Sequence, residues 1–291
     1  SIETNADNNK PFKLINVANS SLHKLYVVET SMEQRTLKKV ILNENIDTLT
    51  IGGYISRGDV PQQSVELVGL SRLNRLKRLS YNPDFSPIAT KDLPKNIEGL
   101  YIGGSGNVPY NDGDSFDYSH LSKLKIYSNG KFISANMKLS TAIDSIYLFP
   151  SQVFGDLKAL DFSGLKFTKA DIYIGSLTRN DVELPMLKRF VFPATLKQLK
   201  LSNAQSEVVD LSRCTHLKSL YVDDSRTGER AIKKLILPKN LKKSDFKRQH
   251  KSEFENDYAF KLSDINNETV IENLPSWVEN DGNGTYSVPN D

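Results

Sequence analysis

The sequence predicts a β-rich repeat solenoid, with a parallel sheet on the concave face, short extended segments and turns on the convex face, and few helices. Three observations carry that reading. A phrase of the form Leu-x-x-Leu-x-(Leu/Val) starts at Leu196 and again at Leu217, 21 residues apart. A shorter apolar-x-apolar phrase ending in Ser, Pro, Asn or Ala stands 8 to 12 residues before each copy of the longer one. No segment carries a long apolar stripe of 3.6-residue period, so few helices are expected.

Aligned on the second apolar position of the longer phrase, the coils fall at Leu25, Leu49, Leu79, Leu100, Leu124, Ile146, Ile172, Leu199 and Leu220, in steps of 21 to 30 residues. The shorter phrases include Val40-Ile41-Leu42-Asn43, Val68-Gly69-Leu70-Ser71, Met137-Lys138-Leu139-Ser140, Leu160-Asp161-Phe162-Ser163, Phe190-Val191-Phe192-Pro193 and Val209-Asp210-Leu211-Ser212. The stretch from Val68 to Leu79 matches that from Val209 to Leu220 along its whole length. In Leu-x-Leu the two leucines point to one side of a strand and x to the other. One such strand buries little alone, whereas stacked coils line the leucines into a continuous core. The Ser or Pro that closes each short phrase turns the chain.

This organisation predicts a polar tail over 1–13, an array of about ten irregular coils over 14–246 and a C-terminal cap over 247–291. The array ends where Ser244 takes the place of a core leucine, just before the charged run Lys247 to Lys251. The stretch Trp277 to Val288 reads as a hairpin around Gly282-Asn283-Gly284, with Trp277 as a cap packing residue.

The phrasing resembles the leucine-rich repeat superfamily, most closely the irregular kind found in surface proteins of gut Bacteroidetes. There, LDLS-x-(C/N)-x-x-L-x-x-L-x-L alternates with L-x-L-P-x-x-L-x-x-L. The first form is matched here by Val209 to Val222 and the second by Leu235 to Leu241, and the likeness covers roughly 14–246. The resemblance implies a leucine-rich repeat solenoid of a bacterial cell-surface or secreted protein. It also implies that Cys214, at a position the family fills with Cys or Asn, turns into the coil as an inert buried thiol. The chain departs from the family where an asparagine usually follows the strand: Thr30, Asp84, Ser105, Asn129, Ser151, Ala204 and Ser225 stand there, so no regular asparagine ladder is expected.

Composition narrows the function classes. The 291 residues are 38% hydrophobic and 25% charged, and 38 basic residues against 35 acidic ones leave a net charge of +3. That balance argues against a nucleic-acid partner. No apolar stretch approaches the length of a membrane span. A single cysteine precludes an internal disulfide framework or a multi-cysteine zinc site. The polar start SIETNADNNK lacks an initiator Met, which is read as a targeting segment removed or left out of the sequence; the extracytoplasmic location, with a lipid anchor possible upstream, is what the resemblance implies.

Tyrosine recurs between the two core apolars of the strands, as Tyr26, Tyr101, Tyr147, Tyr173 and Tyr221, and Lys125, Tyr127 and Lys200 are read onto the same concave face. Tyrosine supplies rigid contact area with a polar tip, which suits recognition of a protein or glycan. It also favours strands and stacks on its neighbours, and both readings stand. Arg57-Gly58-Asp59 has the form of an integrin-binding tripeptide, but a glycine-rich turn accounts for it better. The oxygen-rich runs around Asp112, Asp114 and Asp117 and around Asp281 and Asn283 lack the full calcium-loop pattern and read as solvated loops. His23, His120, His216 and His250 are scattered without metal or catalytic spacing, and the basic stretch Lys233 to Lys251 reads as a solvated end of the array. The expectation is therefore a non-enzymatic interaction module with no catalytic residue, metal or cofactor, binding a protein or glycan; the alternative is a structural or adhesive spacer without a specific ligand.

Overall fold

A computed structural model describes residues 2–5, 12–31, 36–55, 64–104, 110–111, 113–175, 178–179, 182–183, 185–225, 231–246 and 260–288. The protein is β-rich, built on parallel sheets, and among the described residues its helical structure includes only short 3-10 turns, such as Leu70–Arg72, Thr90–Asp92 and Lys243–Asp245. It divides into two compact units, Ser1–Ala142 and Ile143–Asp291.

In the first unit the strands Ile2–Asn5, Lys24–Ser31, Thr48–Ile55, Arg78–Tyr81, Gly99–Ile102 and Ile126–Asn129 form a parallel major sheet. Leu25, Leu49, Leu79, Leu100 and Tyr127 stand in one inward column, and Val27, Ile51, Tyr81, Ile102 and Asn129 in the next. A minor parallel sheet joins Leu14–Asn16, Lys39–Ile41 and Glu66–Val68. The second unit repeats the plan. Ser145–Leu148, Lys169–Tyr173, Gln198–Ser202, Ser219–Asp223 and Phe260–Ser263 make the major sheet. Ala159–Asp161, Leu187–Val191, Ser206–Asp210, Lys234–Ile236 and Val270–Glu272 make the minor one.

The alternation of burial follows the period of two: in Gln198–Ser202 only Leu199 and Leu201 are buried. A backbone device sets the register. Asp47 and Thr48 both donate their N–H to the His23 carbonyl, Lys77 and Arg78 to that of Asp47, and Glu98 and Gly99 to that of Lys77. In the second unit the carbonyls of Asp144, Thr168 and Lys197 each take two N–H groups in the same way. The minor strands end in side-chain turns: Asp117, Asp161 and Asp210 accept the N–H of Ser119, Ser163 and Ser212 through Oδ1.

Several expectations are corrected. Residues 2–5, within the stretch read as a polar tail, form the edge strand Ile2–Asn5. Parallel pairing runs on past 246, since Phe260–Ser263 and Val270–Glu272 each add a strand to the sheets of the second unit. The core column of the fifth coil passes through Tyr127 rather than Leu124, because two overlapping Leu-x-x-apolar phrases compete there and the true one ends on a polar residue, Asn129. Asn129 is fully buried and self-satisfied: Nδ2 donates to the Tyr127 hydroxyl, and Oδ1 accepts from the N–H of Lys131 and Phe132. The column of the following unit passes through Ala170 rather than Ile172, the small side chain having hidden it from a hydrophobic alignment.

Trp277 packs against Phe246 and Phe260, with ring centroids 5.7 and 5.4 Å away, and donates its indole N–H to the Leu241 carbonyl. Glu279–Asn280 and Tyr286–Ser287 form the expected hairpin, with Gly282 and Gly284 at positive φ in its turn. Cys214 is buried, donates weakly to the Pro193 carbonyl, and burial beside Asp210 pushes its thiol up to about 12.

Two predictions follow from this packing. A Cβ on Gly53 would lie 2.5 Å from the Glu29 carbonyl oxygen and 2.6 Å from the Phe85 ring, so Gly53→Ala should lower the unfolding free energy by about 1–3 kcal/mol in a denaturant titration. Burial raises the phenol pKa of Tyr81, Tyr110, Tyr118 and Tyr127. Their folded-state values lie above the unfolded one, so the stability they carry is intact below about pH 10 and lost as pH rises above it. An alkaline titration read by tyrosinate absorbance should show these four of the twelve tyrosines ionising only with cooperative unfolding.

Candidate binding face

The period of two that drives leucines inward leaves three outward rows on each major sheet. In the first unit the middle row runs Tyr26, Thr50, Ser80, Tyr101 and Ser128. Tyr26 is exposed, but two strands separate it from Tyr101. Tyr101 is half-buried: its ring lies over Gly99, where an added Cβ would meet it at 3.0 Å, and the Arg78 guanidinium sits 4.4 Å from its centroid. This ring shields bare backbone and a cation, which is a structural use of tyrosine.

In the second unit the middle row runs Tyr147, Asp171, Lys200, Tyr221 and Lys261. Tyr173 occupies the next row, opposite Ser202, because the true core residues of its strand are Ala170 and Ile172. It is 45% exposed and curls over Gly175. The register that sets Leu148 opposite Ile172 makes the following positions, Phe149 and Tyr173, neighbours at the ends of adjacent strands, and Phe149 is 41% exposed. With the half-buried Tyr147 this makes an aromatic surface that no tyrosine pattern could disclose, since one of its members is a phenylalanine just beyond a strand end.

Charge borders these rings. Lys169 Nζ lies 5.9 Å from the Tyr147 centroid, and Lys200 Nζ lies 3.8 Å from Asp171 Oδ2. Burial raises the Asp171 pKa, against the opposing pull of Lys200 and Lys169. At the far side of the row the Tyr221 hydroxyl donates to Asp223 Oδ2 at 3.2 Å.

Of the residues read onto this face, Tyr26, Tyr101, Tyr147, Lys200 and Tyr221 hold the outward middle row, Tyr173 the neighbouring one, and Lys125 an exposed position immediately before its strand. Tyr127 is corrected: it is fully buried in the core column and points away from this face. The tyrosines do not form one contiguous stripe, because threonine, serine, aspartate or lysine stands between successive members of each row.

Other sequence candidates fall elsewhere. Asp281 Oδ1 accepts the N–H of Asn283 and Thr285, which uses that carboxylate in the hairpin turn, and Asp114 Oδ2 accepts the Asn111 N–H. His23 Nδ1 lies 3.7 Å from Asp47 Oδ2 on the surface. Arg57-Gly58-Asp59, Asp112 and the run Lys247 to Lys251 lie outside the described residues. Among the described residues no helix is long and apolar enough to cross a membrane. No known family model, curated protein or solved structure matches the chain.

Asp171 supplies a test of whether this face is tuned for stability. Its folded-state pKa is above the unfolded one, so the ionised carboxyl costs stability above about pH 4 and nothing below it. Asp171→Asn should therefore melt at or above the wild-type temperature at about pH 7, with the difference gone at about pH 3 in the same thermal scan.

Proposed function

We propose that the protein is a non-enzymatic interaction module of the leucine-rich repeat kind, binding a protein or glycan through the outward face of its major sheets, which the solenoid reading makes the concave face. The observation that carries this is the surface of Tyr147, Phe149 and Tyr173 beside Lys169 and the Asp171–Lys200 pair. Flat rings flanked by a cation and an ion pair offer stacking area together with charge-assisted hydrogen bonds, a combination suited to recognition. A cell-surface or secreted location belongs to the same proposal and rests on the repeat phrasing.

A second reading, a spacer without a specific ligand, draws on one observation: Tyr101 and Tyr173 fold back over Gly99 and Gly175. The two separate on a screen of immobilised glycans and extracellular proteins, followed by the triple change Tyr147→Ala, Phe149→Ala and Tyr173→Ala. The interaction module loses affinity at least tenfold, about 1.4 kcal/mol, with its unfolding midpoint shifted little. Binding that survives the triple change removes this face from the proposal, and a screen without any ligand supports the spacer.

A further inference from the structure

Each minor sheet has two edge strands, among them Leu14–Asn16 in the first unit and Val270–Glu272 in the second. Among the described residues, Leu14–Asn16 in the first unit pairs only with Lys39–Ile41, and Val270–Glu272 in the second only with Lys234–Ile236. Both edges carry outward aliphatics that a surface strand would not need: Leu14 is 50% exposed and Val270 56%. They also stand at equivalent positions, each the first residue of its minor strand, ahead of an isoleucine registered with a core residue, Ile15 with Val40 and Ile271 with Leu235.

The backbone polarity of the edges is complementary. Lys38 N–H donates to the Lys13 carbonyl, and Val17 N–H to that of Ile41, so Lys13, Ile15 and Val17 face their partner strand and Leu14 and Asn16 direct their amides to the open side. At the other edge Val270 N–H donates to the Lys233 carbonyl and Leu237 N–H to that of Glu272, so the backbones of Val270 and Glu272 face their partner strand and that of Ile271 faces the open side. A parallel pair needs this arrangement: one residue of the first strand bonding between two of the second. Lys13 precedes one strand and Glu268 lies shortly before the other, both exposed, which adds opposite charges at neighbouring register positions.

The geometry points to head-to-tail association of two copies of this chain, with the Val270–Glu272 edge of one copy continuing in parallel into the Leu14–Asn16 edge of the next. Ile271 would bond between Leu14 and Asn16, Val270 and Leu14 would cover each other, and Glu268 would approach Lys13. Strand addition of this kind takes affinity from main-chain hydrogen bonds and register from alternate side chains. Because the two edges differ, the contact is heterologous and each copy added presents a fresh edge. The outward tyrosines take no part in it.

Sedimentation velocity on the full chain tests this across the micromolar to millimolar range. The wild type should grow beyond a dimer as concentration rises, and Leu14→Lys and Val270→Lys should each remain monomeric alone. An equimolar mixture of the two variants should form a dimer and stop there, because only one intact pair of edges survives. A short bis-maleimide linking Leu14→Cys to Val270→Cys in a mixture supplies a second readout that keeps both edges apolar. A wild type that stays monomeric throughout, or either lysine variant associating like the wild type, overturns the proposal; the latter result at Val270 alone would indicate a symmetric contact between first coils.

Discussion

The structure depends on a backbone carbonyl that accepts two successive amide N–H groups from the following coil. His23, Asp47 and Lys77 provide it in the first unit, and Asp144, Thr168 and Lys197 in the second. Each such carbonyl uses both its lone pairs and fixes where the next strand begins, so the register of the sheet is decided before any side chain is considered. Acid, base, imidazole and hydroxyl side chains serve equally at these positions. The asparagine ladder that the repeat phrasing would suggest is unnecessary for this purpose. Asn129, which does stand at a ladder position by sequence, is instead in the core, bonding a tyrosine and two amides of its own turn. Surface ion pairs such as Lys77 with Glu98 follow from the column and contribute little by comparison.

With register held by the backbone and the core filled by alternate residues, the outward rows are free to vary, and the two units use that freedom differently. In the first, Tyr101 is engaged with Gly99 and Arg78, and its row is otherwise short and polar. In the second, aromatic rings and opposed charges gather around Tyr147, Phe149, Lys169, Asp171 and Tyr173. A tyrosine between two core residues thus has no fixed meaning. Its neighbours decide whether it seals the sheet or stays exposed.

The leucine phrases made most of the strands legible, because a period of two combined with a recurring spacing has few other physical outcomes. Legibility failed where the core residue was polar, small or doubly phrased. Tyr127 and Asn129 disguised one coil and Ala170 another, and each slip moved the inferred outward residue with it: Tyr127 inward, Tyr173 by one row. Phe149 escaped notice because nothing in the pattern marks a residue just past a strand as exposed and adjacent to one on the next strand. The strands Ile2–Asn5 and Phe260–Ser263 were hidden for a related reason, since a strand at the edge of a sheet, or one reached after a long excursion, is recognised by what it pairs with and only weakly by its own composition.

The aromatic lock at the end of the second unit has a consequence for how order is lost. Phe246, Phe260 and Trp277 interleave, Trp277 ties itself to the Leu241 carbonyl, and a hairpin covers the last major strand. In the first unit, Phe12 and Leu14 are exposed at the start of the minor sheet, and Ile2–Asn5 is the edge strand of the major one. Where parallel strands hold mainly their immediate neighbours, opening of a sheet starts at its less secured edge. The second unit therefore has a mechanical polarity of its own: its carboxy-terminal strands are the anchored end, tied down by rings and a hairpin rather than by pairing alone.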